Sequence, residues 1–451
     1  MKHTIKYIIV GILASLLSYI LLSVFISNTT LVWTISLIIA ILFLFIIRKI
    51  IQRYAFSFIF MVSVFFTVML VPLFGKKETT SLEARTLPVF PKFDINYIWG
   101  FTYGVSDYMN NCFAYRNAAI AFLGKLKYNT FHESPMPNLV EIGKDSCLYY
   151  TPITYIHDIS EPLTTEELEN IRLKLDIMTR WFESKGIKYY FTSPPTKEHI
   201  YPEFMSPGMQ YMTKFSRLSQ LVEYLKDDTI IRFIDYRKEL IENKKTRLTY
   251  EETDGHWNKF GAFFAYRKIM ERMHQDFKEI RVAELSDYKM DSGIAVGGDL
   301  QRHLGFDDVF TMHFYNFTPK PDGHKYGAYP QAGDSAKLEK PSNDMLVQVR
   351  NMPPTIPNDS GNINACPLML FVVRDSYTDA MQGFLSTQFK QTVYAFTKKP
   401  PIGLIMKVHP DIVLHEMLER YLGSEINLPD EIAGDSVFIK QNFPGYYKGK
   451  L

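Results

Sequence analysis

Residues 7–26, 31–47 and 55–74 contain no Asp, Glu, Lys or Arg. Each is about as long as a helix must be to cross a hydrocarbon layer of roughly 30 Å, so residues 1–75 are expected to form a membrane anchor of three transmembrane helices. That expectation constrains the rest of the chain, which then starts at a membrane surface. Lys2 and Lys6 precede the first stretch, and Arg48, Lys49 and Arg53 separate the second from the third, while residues 27–30 carry no charge. Basic residues stay on the cytoplasmic side, which puts the amino terminus inside and everything after Phe74 outside, with Lys76 and Lys77 against that order. A cleaved signal peptide fits less well, because two more apolar stretches follow and no small-residue cleavage pattern stands out.

Roughly 375 residues follow the anchor, enough to fold on an apolar core without crosslinks. Cys112, Cys147 and Cys366 are the three cysteines, so at most one disulfide is possible and one thiol is left over. A formal net charge of +2 in 451 residues supplies no basic stripe, which argues against nucleic acid as a partner.

From Leu163 the chain alternates helical and strand periodicity. Thr164 and Glu167 form a capping box, and Leu168, Ile171, Leu175, Met178 and Phe182 recur at helical spacing until Gly186. Residues 187–192 read as a strand broken by Ser193-Pro194-Pro195, and a helix near 215–225 and a strand at 230–234 follow. Beyond these, residues 260–273 read as a helix, 368–373 as a buried strand, 392–396 as a strand, 412–414 as a short apolar run and 416–421 as a helix. Such alternation implies a mostly parallel sheet covered on both faces, and functional groups in such sheets collect at the carboxyl ends of strands. Residues 286–367 lack a clear period and read as an irregular insertion of loops and short strands.

Two motifs carry chemistry. Thr253-Asp254-Gly255-His256-Trp257-Asn258 places an Asp and a His on one loop, and Arg374-Asp375-Ser376-Tyr377 ends an apolar run with a Ser. Together they hold the inventory of serine acyl transfer: a hydroxyl nucleophile, an imidazole base and a carboxylate that orients it. The plainer readings are a helix N-cap for Ser376 and a hydrogen-bonded loop histidine for His256. No second His stands at metal-binding spacing nearby, so no metal site is expected. Lys197 has the plain reading of a solvated loop lysine, and Trp257 that of packing.

The order of these motifs resembles the AlgJ/AlgX family, the SGNH-hydrolase-like alginate O-acetyltransferases, and the related DHHW group. Glu83-Ala84-Arg85 with Phe90-Pro91 is similar to the family's lead-in segment. Asn111 to Arg116 is similar to its D-x-F-x-x-R, with Asn for Asp. Ile142-Gly143-Lys144-Asp145 through Tyr150 resembles iGkdGWLFY, with Ser146 and Cys147 replacing Gly and Trp. Pro195-Thr196-Lys197 with Ile200-Tyr201-Pro202-Glu203 resembles P-x-K…iYPE, and Tyr250 through Ala262 resembles Y-x-x-T-D-x-H-W-n-x-x-G-A. Gly298-Asp299-Leu300 with Leu304-Gly305, Arg374-Asp375-Ser376-Tyr377, and Pro410-Asp411-Ile412-Val413 with Glu419-Arg420 complete the order. Arg374 stands where a Gly precedes Asp-Ser in SGNH enzymes.

The resemblance implies an α/β, SGNH-hydrolase-like parallel sheet with helices on both faces, preceded by three transmembrane helices. Residues 76–160 would be a segment packing on the catalytic domain, and 161–451 the domain itself, with its insertion at about 286–367. It implies Ser376 as nucleophile, His256 as general base and Asp254 as its orienting partner, with the Ser376 N–H as one oxyanion donor. Lys197, Trp257, Arg374 and Tyr377 are candidates for substrate or oxyanion contacts, and no cofactor is implied. The implied function is transfer of acetyl groups to hydroxyls of an exported polysaccharide, with a membrane-bound O-acyltransferase partner as donor. The implied setting is a bacterial inner or plasma membrane with the catalytic domain outside. A carbohydrate acetylesterase and a non-catalytic polysaccharide-binding component of an export complex are the alternatives.

Overall fold

The computed structural model describes residues 87–447 apart from 113–115, 307, 321–330, 333, 335–336, 339–344, 352–365 and 424, with a few scattered positions before residue 87. The three expected membrane spans fall almost wholly outside the described residues, as does Glu83-Ala84-Arg85. Among the described residues no helix is long and apolar enough to cross a membrane. The chain divides into two compact units, Met1–Pro135 with Arg302–Phe306, and Met136–Gln301 with Asp307–Leu451. In the first, Asp94 caps the turn Ile95–Tyr97, and helices Ile98–Cys112 and Arg116–Phe131 follow. The second begins within the segment 76–160 and holds the sheet.

Its first element is a hairpin, β1 (Val140–Ile142) and β2 (Leu148–Tyr150), paired antiparallel. Asp145 and Ser146 turn it with φ of 53° and 62°. This left-handed region favours Gly, which accounts for the Gly of the resembling pattern at the position that Ser146 occupies here.

The main sheet contains β3 (Lys188–Thr192) and β4 (Phe233–Ile234), then β7 (Gln331–Ala332), β8 (Val347–Asn351), β9 (Cys366–Arg374), β10 (Phe389–Phe396) and β11 (Ile412–Glu416). Between β4 and β7 in the chain lie β5 (Tyr288–Val296) and β6 (Thr311–Pro319), which pair only with each other. The sheet order is β4-β3-β11-β9-β10-β8-β7, parallel from β4 to β10 and antiparallel where β8 and β7 extend the edge. The sheet is therefore mixed rather than all parallel, because part of the insertion joins it.

Both faces are buried, and alternate residues explain the continuous apolar runs. Tyr190, Leu370, Val372 and Leu414 pack under helices Lys259–Asp276 and Thr378–Ser386. Tyr189, Phe191, Phe371, Val373 and Val413 pack under helices Thr165–Ser184, Arg217–Leu225 and Ile402–Val408. The capping box of Thr164 and Glu167 is present.

Three local expectations are corrected. The strand at 230–234 shrinks to Phe233–Ile234, since the Asp228 carboxylate takes the N–H groups of Ile230 (2.9 Å) and Ile231 (3.0 Å) and turns the chain. The helix at 416–421 is instead the end of β11 and a single 3-10 turn, Glu419–Tyr421. There the N–H groups of Met417, Leu418 and Glu419 donate to Thr192 O, the Asp375 carboxylate and Pro194 O, so none is left for helical bonding. The insertion is more regular than its sequence, because β5 and β6 pair over nine positions. Cys112, Cys147 and Cys366 are free and buried.

Candidate active site

The sheet order decides which loops meet. β3, β11 and β9 are adjacent and parallel, so the segments leaving their carboxyl ends, which carry Lys197, Leu418 and Ser376, emerge at one edge. β9 delivers Ser376 into a tight turn before helix Thr378–Ser386. Asp375 shapes that turn, accepting the Tyr377 N–H on Oδ1 (2.9 Å) and the Leu418 N–H on Oδ2 (2.8 Å). No hydrogen bond among the described residues engages the Ser376 N–H, which leaves it available to a developing oxyanion.

His256 comes from a loop closed by a bridge between Tyr250 and Trp257. Asn258 ends the loop by capping helix Lys259–Asp276, accepting the Gly261 N–H (3.0 Å). The loop aims the imidazole so that Nδ1 lies 2.7 Å from Asp254 Oδ1 and Nε2 lies 2.7 Å from Ser376 Oγ. The same Asp254 oxygen accepts the His256 backbone N–H (3.0 Å), and its other oxygen accepts the Asp299 N–H (3.0 Å).

Burial works against the His256 imidazolium, but the Asp254 hydrogen bond and charge, with Asp299 and Asp375 adding, raise it to about 9. Burial likewise opposes the Asp254 carboxylate, yet the His256 hydrogen bond and charge hold it well below the usual range. Burial and then the Asp254 charge push Asp299 up to about 6 and Glu251 up to about 7.

The loop is held from two sides. Lys197 lies beneath it, fully buried, and its ammonium donates to the carbonyls of Leu148 (2.8 Å), Glu251 (2.7 Å), Glu252 (2.8 Å) and Asp254 (3.0 Å). This corrects the reading of a solvated lysine. Burial lowers its affinity for a proton, and four carbonyl dipoles supply the compensation that a buried cation needs.

On the other side stands the β5–β6 arm. Glu252 pairs with the His313 ring and accepts the His313 backbone N–H (3.0 Å), and Thr253 donates to Gly297 O (2.6 Å). Asp299 accepts the Gly255 N–H (3.2 Å). Gly298 makes this approach possible: its φ is +99°, and a Cβ there would stand 2.2 Å from Thr253 O.

A pocket of about 340 Å³ opens over Ser376 and His256, walled by Glu251, Trp257, Lys259, Tyr377, Asp379 and Ala380. Trp257 and Tyr377 are almost fully buried behind it, and their polar atoms serve the frame: Trp257 Nε1 donates to Tyr377 O (2.8 Å) and Tyr377 Oη to Gly255 O (2.8 Å). Arg374 is buried and donates to Asp379 (2.7 Å) and to Asp375 O (3.0 Å). Lys197 and Arg374 do not line the pocket. Asp254, His256 and Asp299 bring ligand-type atoms within 4.8 Å of one another, but the hydrogen bonds above already engage each side chain.

Sequence reasoning named Asp254, His256 and Ser376, and the structure brings them into one hydrogen-bonded chain. It gave Asp299 no role, although Gly297-Gly298-Asp299 was visible; two glycines before an acid signal a backbone passing close to something. Glu251, Glu252 and His313 had no signal of their own.

This arrangement is that of an SGNH-hydrolase-like α/β domain. Residues 140–338, under half of the chain, match the family model for the SGNH hydrolase-like domain of the acetyltransferase AlgX. The match includes Lys197, Asp254 and His256 and ends before Ser376. No curated protein matches the sequence. Among solved structures, Bacillus cereus PatB1 is similar at 17% identity and a TM-score of 0.46, covering 64% of this chain and 99% of that one. The O-acetyltransferase domain of Pseudomonas putida AlgJ is similar at 16% and 0.41, covering 65% and 97%. A DHHW family protein from Eubacterium siraeum is similar at 14% and 0.43, covering 64% and 95%.

Proposed function

We propose that this chain is an O-acetyltransferase that carries acetyl groups on Ser376 and passes them to hydroxyls of an exported polysaccharide. The observation that carries the reading is the Asp254–His256–Ser376 chain, two hydrogen bonds of 2.7 Å opening into a solvent-accessible pocket.

The chemistry follows from these positions. Neutral His256 keeps its proton on Nδ1, donated to Asp254, and accepts the Ser376 proton on Nε2 as Oγ attacks the acetyl carbonyl. Charge develops on the carbonyl oxygen beside the Ser376 N–H and the start of helix Thr378–Ser386, where donors and the helix dipole favour it. The imidazolium returns its proton to the leaving group, leaving acetyl-Ser376. A sugar hydroxyl then loses its proton to His256 and attacks the ester, and Ser376 is restored.

The three charge-free stretches support a membrane anchor with this domain on the outer side. Acetyl groups would then arrive through a membrane-bound O-acyltransferase partner.

Replacing Ser376 by Ala in the producing cell is expected to remove O-acetyl groups from the surface polysaccharide while leaving the polymer in place. Unchanged O-acetyl content with the variant protein present would end this reading.

A further inference from the structure

β11 ends on Glu416, a fully buried carboxyl that the acetyl-transfer steps above do not use. Its Oε1 accepts the Thr378 hydroxyl (2.6 Å), at the first residue of the helix after Ser376. Its Oε2 has no hydrogen-bond partner among the described residues, and the side chains of Glu416 and Asp375 lie within hydrogen-bonding reach of each other. Asp375 already accepts two backbone N–H groups, from Tyr377 and Leu418.

An ionised carboxylate only accepts hydrogen bonds, so contact between these two requires one proton. Two carboxyls at this range, one of them fully buried, cannot both ionise. Asp375 has two backbone donors to stabilise its negative charge and Glu416 has one hydroxyl, so the proton sits on Glu416.

We propose that Glu416 is a positioning residue: a neutral carboxylic acid that donates from Oε2 to Asp375 and accepts at Oε1 from Thr378, clamping both sides of the turn that presents Ser376. This rests on Ser376 being the nucleophile. The other charged or titratable groups facing the pair are Arg374, His256 and Tyr236. Arg374 is engaged by Asp379, and His256 by Asp254. Burial, and then the Asp375 charge, push Glu416 well above the usual carboxyl range. Loss of the proton would set two negative charges beneath the site where the oxyanion forms.

The test compares the full-length protein with Glu416→Gln, which keeps a donor and an acceptor, and Glu416→Met, which keeps the volume and neither. At neutral pH the infrared difference between wild type and Glu416→Gln should contain a carboxylic-acid carbonyl band that shifts in D2O, a readout independent of activity. With p-nitrophenyl acetate, acetyl-enzyme formation by Glu416→Gln should stay within about threefold of wild type, and that by Glu416→Met should fall about tenfold or more. A missing band would overturn the shared proton, and Gln no better than Met would overturn the positioning role. A wild type that shows the band but never acylates Ser376 would instead remove the nucleophile reading, and the positioning role with it.

Discussion

The two halves of the site are held in opposite ways. The Asp254/His256 loop is pinned by polar groups that reach it from elsewhere, Lys197 from beneath and the β5–β6 arm from the side. The Ser376 turn grows out of β9, between β10 and β11, and rests on a strand buried on both faces. The base therefore depends on a few strong hydrogen bonds that can each be cut, whereas the nucleophile inherits its place from the core. Changes around the loop should misalign the base in a folded protein, and changes around β9 should cost the fold.

That contrast can be broken at several points. Removing Lys197 should have the largest effect on the loop side, since Lys197→Met takes the ammonium from four carbonyls, of which Glu252 O keeps the Leu148 N–H. A loss of about 3–5 kcal/mol is expected from urea unfolding. A variant as stable as wild type would show that the loop does not need this cation.

Gly298→Ala should follow, at about 1–3 kcal/mol, because its φ of +99° and the 2.2 Å contact with Thr253 O force the arm away from the loop. Acetylation of Ser376 should slow by more than the stability loss explains. An unchanged rate would mean that the arm does not orient Asp254.

His313→Ala should be smallest, about 1 kcal/mol or less, because the His313 ring is half exposed although Glu252 is buried. Thermal melts of this variant and of Gly298→Ala would rank the arm's contacts.

The pH dependence sharpens the same contrast, because the catalytic base stands on the loop side. His256 is raised from its usual 6.5 to about 9, so the acylation rate should climb with pH, pass half its maximum near 9 and level off above that as the base form fills. The stability sign is opposite. Because the folded His256 value is raised and the folded Asp254 value is lowered, the pair stabilises fully between about 3.8 and 6.5, loses this contribution as pH rises through about 9, and loses it again in acid as Asp254 takes a proton. Asp254→Asn should move the rate profile to lower pH, and a profile that stayed in place would contradict the pairing.

What the sequence disclosed divides along the same line. The β9 turn was legible because a strand buried on both faces must read as an unbroken apolar run, and residues 368–373 do. The long helices were legible from capping and spacing at Thr164, Glu167 and Leu168. The β5–β6 arm was not, since Lys289, Asp291 and Ser292 face solvent and the pairing is held by backbone bonds and by contacts of Tyr315 and Phe317 with distant Phe260 and Phe263. Lys197 was misread because its compensation comes from backbone carbonyls, which every residue has and which leave no mark in composition. The Glu416 carboxyl was hidden for a similar reason, as its partners Asp375 and Thr378 lie about 40 positions away and meet it only through the sheet.

The most direct measurement is the intact mass of the full-length protein after brief exposure to an activated acetyl ester, with Ser376→Ala and His256→Ala alongside. The wild type should gain one acetyl group, mapped to Ser376, Ser376→Ala should gain none, and His256→Ala should acylate at least about a hundredfold more slowly. A folded wild type that stays unmodified, or a Ser376→Ala protein that gains the same mass, would contradict a serine acyl-enzyme at this site.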